Sequence, residues 1–217
     1  MAAGGYPQYT AKALEEKAEK TLGARFPSGV LIPVDIDYLV ESEPGVSLDV
    51  MQGLKETYGV AGAVFTHPKD PKERRYTVLI DADVADRAPA FYRFTLAEEF
   101  AHLVLHRSVI EGITSLEQAV ALHRAPEYYD TLDRNAKRFA AAALMPAARI
   151  RQDAGGIFTA LRAAKLDAET LTTKLTVQLA QRYGVSVVAM RHRLGEWPVN
   201  LSTAIQEAFA RGLSRLP

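Results

Sequence analysis

The chain has 217 residues, 48% hydrophobic and 24% charged, and it contains no cysteine. This is the composition of an ordinary folded core, and the missing thiols exclude disulfides, thiolate metal sites and a cysteine nucleophile. Basic and acidic residues both number 26, so the net charge is zero and no global field steers the protein toward nucleic acid or an anionic membrane.

No apolar run approaches the ~20 residues that a bilayer span needs. The first ten residues, MAAGGYPQYT, carry neither the basic nor the apolar region of a secretory signal. The expectation is a cytoplasmic protein with no membrane partner. Residues 11–22 are rich in helix formers, with Gly23 behind them. After the turn Pro27-Ser28-Gly29, Asp35 is placed to cap a short helix reaching Ser42, which Pro44-Gly45 ends. Val46–Met51, Val60–Thr66 and Tyr76–Ile80 read as three short strands, punctuated by Gly59, Gly62 and the His67-Pro68 step. Their connections look too short for helical crossovers, which predicts a small antiparallel sheet.

From Pro89 the pattern becomes helical. One helix is expected over Pro89–His106, with proline in its first turn, where a missing N–H costs little. Others are expected near Leu116–Leu122, Glu127–Met145, Ala147–Ala154, Ala168–Tyr183, Val187–Leu194 and Ser202–Leu213. The fold class is α+β. The expected organisation is a domain over residues 1–155 and a helical C-terminal region over 156–217.

The Pro89–His106 segment carries the chemistry. It contains Thr95-Leu96-Ala97-Glu98-Glu99-Phe100-Ala101-His102, in which Glu98 and His102, four apart, share a helix face. In His-Glu-x-x-His metallopeptidases two histidines bind the metal and the glutamate activates its water. Here Glu99 and His102 are in place, and Glu98 stands where the first histidine would be. An alternative reading makes Thr95-x-x-Glu98 a capping box at a helix that starts late.

Two strings resemble the ImmA/IrrE family of metallo-endopeptidases: the stretch Arg93 to His106, and Asn135-Ala136-Lys137-Arg138-Phe139-Ala140 leading to Leu144-Met145-Pro146. The early Pro33-Val34-Asp35-Ile36 and the late Tyr183-Gly184-Val185-Ser186 add to the likeness, which runs in the family's order from about residue 11 to 195. The resemblance implies a zincin-like core with a small antiparallel sheet and an active-site helix. It also implies a zinc-type endopeptidase acting on a helix-turn-helix repressor. By register it implies Glu98, His102 and Asn135 as metal ligands and Glu99 as the catalytic base.

Both departures from the family pattern fall on ligands. A carboxylate at 98 can still bind zinc, whereas a neutral amide at 135 suits harder cations better. Zinc, another divalent metal and no metal at all are therefore each open. So is a catalytically inactive pseudopeptidase that binds a repressor or toxin–antitoxin partner. Asp133 is two residues from Asn135, about 200° around a helix, and is expected to aim away from the site. His106 is expected to pack behind it, and His67, His123 and His192 are expected to have no metal role.

Residues 175–194 have the cadence of a helix-turn-helix, with Gly184 ending one helix and Ser186 capping the next. From Lys174 to the end there are six basic against two acidic residues. This admits direct DNA binding as a further reading.

Overall fold

The computed structural model describes residues 6–66, 75–126, 128–164, 166–213 and 216. The His67-Pro68 step and Arg215 lie outside them. The chain packs as two compact units, Met1–Ala143 and Leu144–Pro217. The division falls at residue 143, where the sequence reading drew it at 155.

In the first unit, α1 (Ala11–Arg25) starts at Thr10, whose hydroxyl accepts the Ala13 N–H. The helix α2 (Ile36–Glu41) starts at Asp35, whose carboxylate accepts from Tyr38 N–H at 3.0 Å. Strand β1 (Val46–Met51) leads through α3 (Leu54–Tyr58) to β2 (Gly62–Thr66), and β3 (Tyr76–Asp81) follows. All three strands occur where alternation and turn residues put them, and the α+β class holds.

The sheet, however, is mixed. Its order is β1-β3-β2, with β3 antiparallel to β2 and parallel to β1, Val46 facing Tyr76 through to Met51 facing Asp81. Strand directions alternate along the chain, as a meander would have them. Because β3 inserts between the other two, its pairing with β1 becomes parallel. Only non-local packing decides that insertion, and every residue of β3 is consequently buried.

At the end of β3, Asp81 ties three elements together. Its carboxylate accepts from Val84 N–H at 3.1 Å, capping α4 (Ala82–Arg87), and from Lys55 N–H at 2.8 Å in α3. The long α5 (Pro89–Leu105) then crosses the sheet, packing on β2, β3, α2 and α4. From Thr95 onward nearly its whole circumference is buried, which is why its polar residues matter. Short helices α6 (Arg107–Ile110) and α7 (Leu116–His123) follow, the latter against β2. A single π-helical turn, Tyr128–Asp133, then runs into α8 (Arg134–Leu144).

The second unit contains α9 (Ala147–Ala163), α10 (Ala168–Tyr183), α11 (Val187–Gly195) and α12 (Leu201–Ala210). Between α10 and α11, Gly184 adopts φ 63°, a left-handed value that glycine reaches at little cost, and Ser186 caps α11 through Ala189 N–H at 3.1 Å. The basic residues counted here are not all available at the surface. Arg193 is buried and donates from Nε to the Met145 carbonyl at 3.0 Å. Arg182 is paired with Asp153 at 3.0 Å. That leaves a weaker basic face than the bare count suggests.

Candidate functional site

Helix α5 begins at Pro89, so Thr95 is a buried interior residue rather than a cap. The capping-box reading of Glu98 is thereby overturned. Glu99 and His102 both face inward and line a small pocket with Val64 of β2, Ile110, Ile113, and Ala119, Leu122 and His123 of α7. Close approach of α5 to the sheet depends on Gly62. A Cβ there would lie 2.8 Å from Glu99 Cγ, 2.8 Å from Thr95 Cγ2 and 3.0 Å from Glu99 Oε1. The absent side chain at 62 is the space in which Glu99 sits.

Glu98 is half-buried and meets Asp133, with a hydrogen bond between the two carboxyl groups. Asp133 Oδ2 in turn accepts from Lys137 Nζ at 2.9 Å, one α-helical turn further on. Loss of solvent pushes the Glu98 carboxyl up to about 8, with Asp133 adding to the rise and Lys137 opposing it. Asn135 lies on another face, where its Nδ2 donates to the Pro7 carbonyl at 3.0 Å.

Asp133, expected to aim away from the site, meets Glu98, and Asn135, expected at it, is turned to Pro7. Residues 133 and 135 do diverge, as two steps along a helix must, but it is Asp133 that meets Glu98. Which of the two meets Glu98 is set by the rotation of α8 about its own axis, and tertiary packing decides that rotation. The stripe of Leu132, Ala136, Phe139 and Ala143 is buried as expected.

Glu99 is 2% exposed, and its Oε2 has no hydrogen-bond partner among the described residues. Burial, then the neighbouring Glu98 and Asp133, hold its carboxyl well above the usual carboxylate range. Behind it, His102 Nδ1 and His106 Nδ1 are 3.0 Å apart, one ring donating to the other. Burial drives both imidazoles toward the neutral form, His106 down to about 4 and His102 well below its ordinary value. His123 stands edge-on to His102, ring centroids 6.4 Å apart, and burial lowers it too.

His106 packs as expected, near Tyr9, whose hydroxyl donates to Leu105 O at 2.9 Å. His123, expected to have no metal role, lines the pocket, and Asp133, expected to aim away, is the residue that meets Glu98. His123 carries no local motif.

A family model described as the IrrE N-terminal-like domain, Peptidase_M78, matches residues 55–195, well over half the chain. The chain belongs to the IrrE N-terminal-like family. That places it among metallopeptidases and agrees with the α5 and α8 motifs. No curated protein matches it. The match extends from α3 across α5 to the end of α11.

Family membership raises the question of a metal, and the donor arrangement answers it poorly. Among the described residues no three His, Asp or Glu groups come together to hold an ion. Asn135 presents an N–H to Pro7 rather than an oxygen to the pocket, and the Glu98 and Asp133 carboxyls are engaged with each other and with Lys137. A zinc site wants three or four convergent lone pairs. The residues as arranged do not fit one. Among the described residues, too, no helix is long and apolar enough to cross a membrane.

Proposed function

We propose that this member of the IrrE N-terminal-like family uses the peptidase cleft to bind a protein partner, a helix-turn-helix repressor or a toxin–antitoxin component, in the cytoplasm without hydrolysing it. The observation that carries this reading is the position of Asn135. The residue at the third-ligand register is turned to the Pro7 carbonyl, while the residue at the first-ligand register is hydrogen-bonded to Asp133. A metallopeptidase needs its ligands directed at one ion so that the bound water is acidified. Here two of the three registers are committed elsewhere.

One observation favours the other reading, a metal-dependent endopeptidase. Glu99 keeps the place of the general base, beside His102, with an unpartnered oxygen in the pocket. Such an atom is costly unless something occupies it.

The two are separated by incubating the purified protein with a repressor-type partner and zinc. Co-elution of an intact partner is the expected result, and cleavage by the parent protein would overturn the proposal. Comparison with Glu98→His combined with Asn135→Glu sharpens the test, because cleavage gained only in the double variant places the lost activity at those two ligand positions.

A further inference from the structure

We propose that the outer edge of β1 is a self-pairing surface: a second copy of this chain adds its own β1 antiparallel to it, joining the two sheets about a two-fold axis at Leu48. The inference stands apart from the pocket and from the reading of its activity.

Strand β1 lies at one end of the order β1-β3-β2, so only one of its sides is paired. Tyr76 N–H donates to the Gly45 carbonyl at 2.9 Å, one residue before its register partner Val46. In a parallel ladder that parity sends the main-chain groups of Ser47, Asp49 and Met51 to β3, and those of Val46, Leu48 and Val50 away from it. The far side of β3 agrees, because Asp81 N–H donates to the Ala61 carbonyl at 3.0 Å and odd-numbered residues therefore serve β2. Val46 N–H turns back to the Glu43 carbonyl at 3.2 Å. Among the described residues, nothing beyond the β3 ladder bonds the main chain of Leu48 or Val50. Val50 is 58% exposed and Asp49 is exposed as well, so this edge is open. Its sequence, VSLDVM, also lacks the lysine or proline that commonly blunts an edge strand.

The strand's own sequence selects a second copy as the occupant. Outward residues must face outward residues, so two such strands can slide past each other only in steps of two. With the axis at Leu48, the N–H and C=O of Leu48 exchange bonds with those of the other Leu48. Each Val50 N–H then meets the Val46 carbonyl of the other copy, the outward group that the Glu43 contact leaves free. On one face Leu48 lies beside Leu48 and Val50 beside Val46. On the other, Ser47 lies across from Asp49, a hydroxyl against a carboxylate. Within one copy these two already share that face, with Ser47 Oγ 3.3 Å from Asp49 Oδ2. A step either way loses the match. An axis at Asp49 sets two like charges directly opposite, and an axis at Ser47 sets Pro44, which has no N–H, against Val50.

The full chain has no cysteine, so single-cysteine variants report the register directly. Residues opposed in a hydrogen-bonded antiparallel pair stand about 5.5 Å apart at Cα, within disulfide reach. Leu48→Cys is therefore expected to cross-link on mild oxidation at least roughly tenfold faster than Val50→Cys, whose two copies would stand about 14 Å apart along the strands. A second measure leaves residue 48 intact: an equal mixture of Ser47→Cys and Asp49→Cys should give the mixed dimer in preference to either homodimer. By sedimentation the parent is expected to dimerise reversibly, with a dissociation constant on the order of ten micromolar for so small an interface. Val50→Pro removes an outward N–H without touching the β3 ladder and should weaken that dimer by roughly tenfold or more, with the circular dichroism of the parent retained. A parent that stays monomeric well above that concentration overturns the proposal. So does cross-linking at Val50→Cys as fast as at Leu48→Cys, or a mixture that forms no mixed dimer.

Discussion

Replacing Gly62 with alanine tests how α5 is seated on the sheet. The new methyl would lie 2.8 Å from both Glu99 Cγ and Thr95 Cγ2, and 3.0 Å from Glu99 Oε1. Ordinary carbon contacts are about 3.5–4.0 Å, so two overlaps of more than half an ångström must be relieved. Neither neighbour can swing into solvent, because Thr95 is 5% and Glu99 2% exposed. The strand cannot easily retreat either, since Gly62 pairs with Ile80 and the adjacent Ala61 carbonyl accepts from Asp81 N–H at 3.0 Å. Overpacking of this kind costs about 1–3 kcal/mol. At about 2 kcal/mol, a protein of this size loses roughly 4–8 °C in Tm.

Urea unfolding followed by far-ultraviolet circular dichroism measures the loss. Thr95→Ser deletes one of the two methyl contacts and alone costs about 1 kcal/mol. Combined with Gly62→Ala it is expected to cost less than the sum, with a coupling of about 0.5–1 kcal/mol. A Gly62→Ala protein as stable as the parent, with strictly additive behaviour alongside Thr95→Ser, would refute the claim that α5 and β2 approach this closely.

Asp81→Ala removes the acceptor shared by Val84 and Lys55 N–H groups and is expected to cost about 2–3 kcal/mol in denaturant midpoint, with Asp81→Asn losing less than half as much. Two arginines of α11 should behave oppositely: Arg193→Ala, which vacates a buried site and the Met145 carbonyl, is expected to lose about 2–3 kcal/mol, while exposed Arg191→Ala stays within about 0.5 kcal/mol. Equal effects of the two would contradict the interior placement of Arg193. His106 is held neutral, at about 4 in the folded protein, against about 6.5 when unfolded. Its depressed value means that the unfolded chain binds the extra proton first, so this contribution is intact above pH 6.5 and declines as pH falls toward 4, by about 3 kcal/mol at most. His106→Gln removes that dependence, so its stability deficit relative to the parent, read from urea titrations, should shrink steadily below pH 6.5. A deficit independent of pH would mean that His106 titrates normally.

Much of this protein is determined by short-range chemistry. Thr10, Asp35 and Ser186 each accept an N–H three residues on, so three helix starts follow from the side chain at the cap. Pro89 starts α5, and Gly184 ends α10 because glycine enters left-handed backbone readily. The order Glu98, Glu99, His102 on one helix, and with it the family, is likewise written locally. What the tertiary structure alone decided is which groups meet. The insertion of β3 between β1 and β2 made a parallel pair out of strands that alternate in direction, because sheet order is chosen by burial across the whole unit. The seating of α8 brought Asp133 to Glu98, while Asn135 found Pro7, 128 residues away. His123 came to His102 from a separate helix. A helix's own periodicity fixes the angles between its residues, but its rotation about its axis is set by the surfaces it packs against, and the charge in this pocket depends on that rotation.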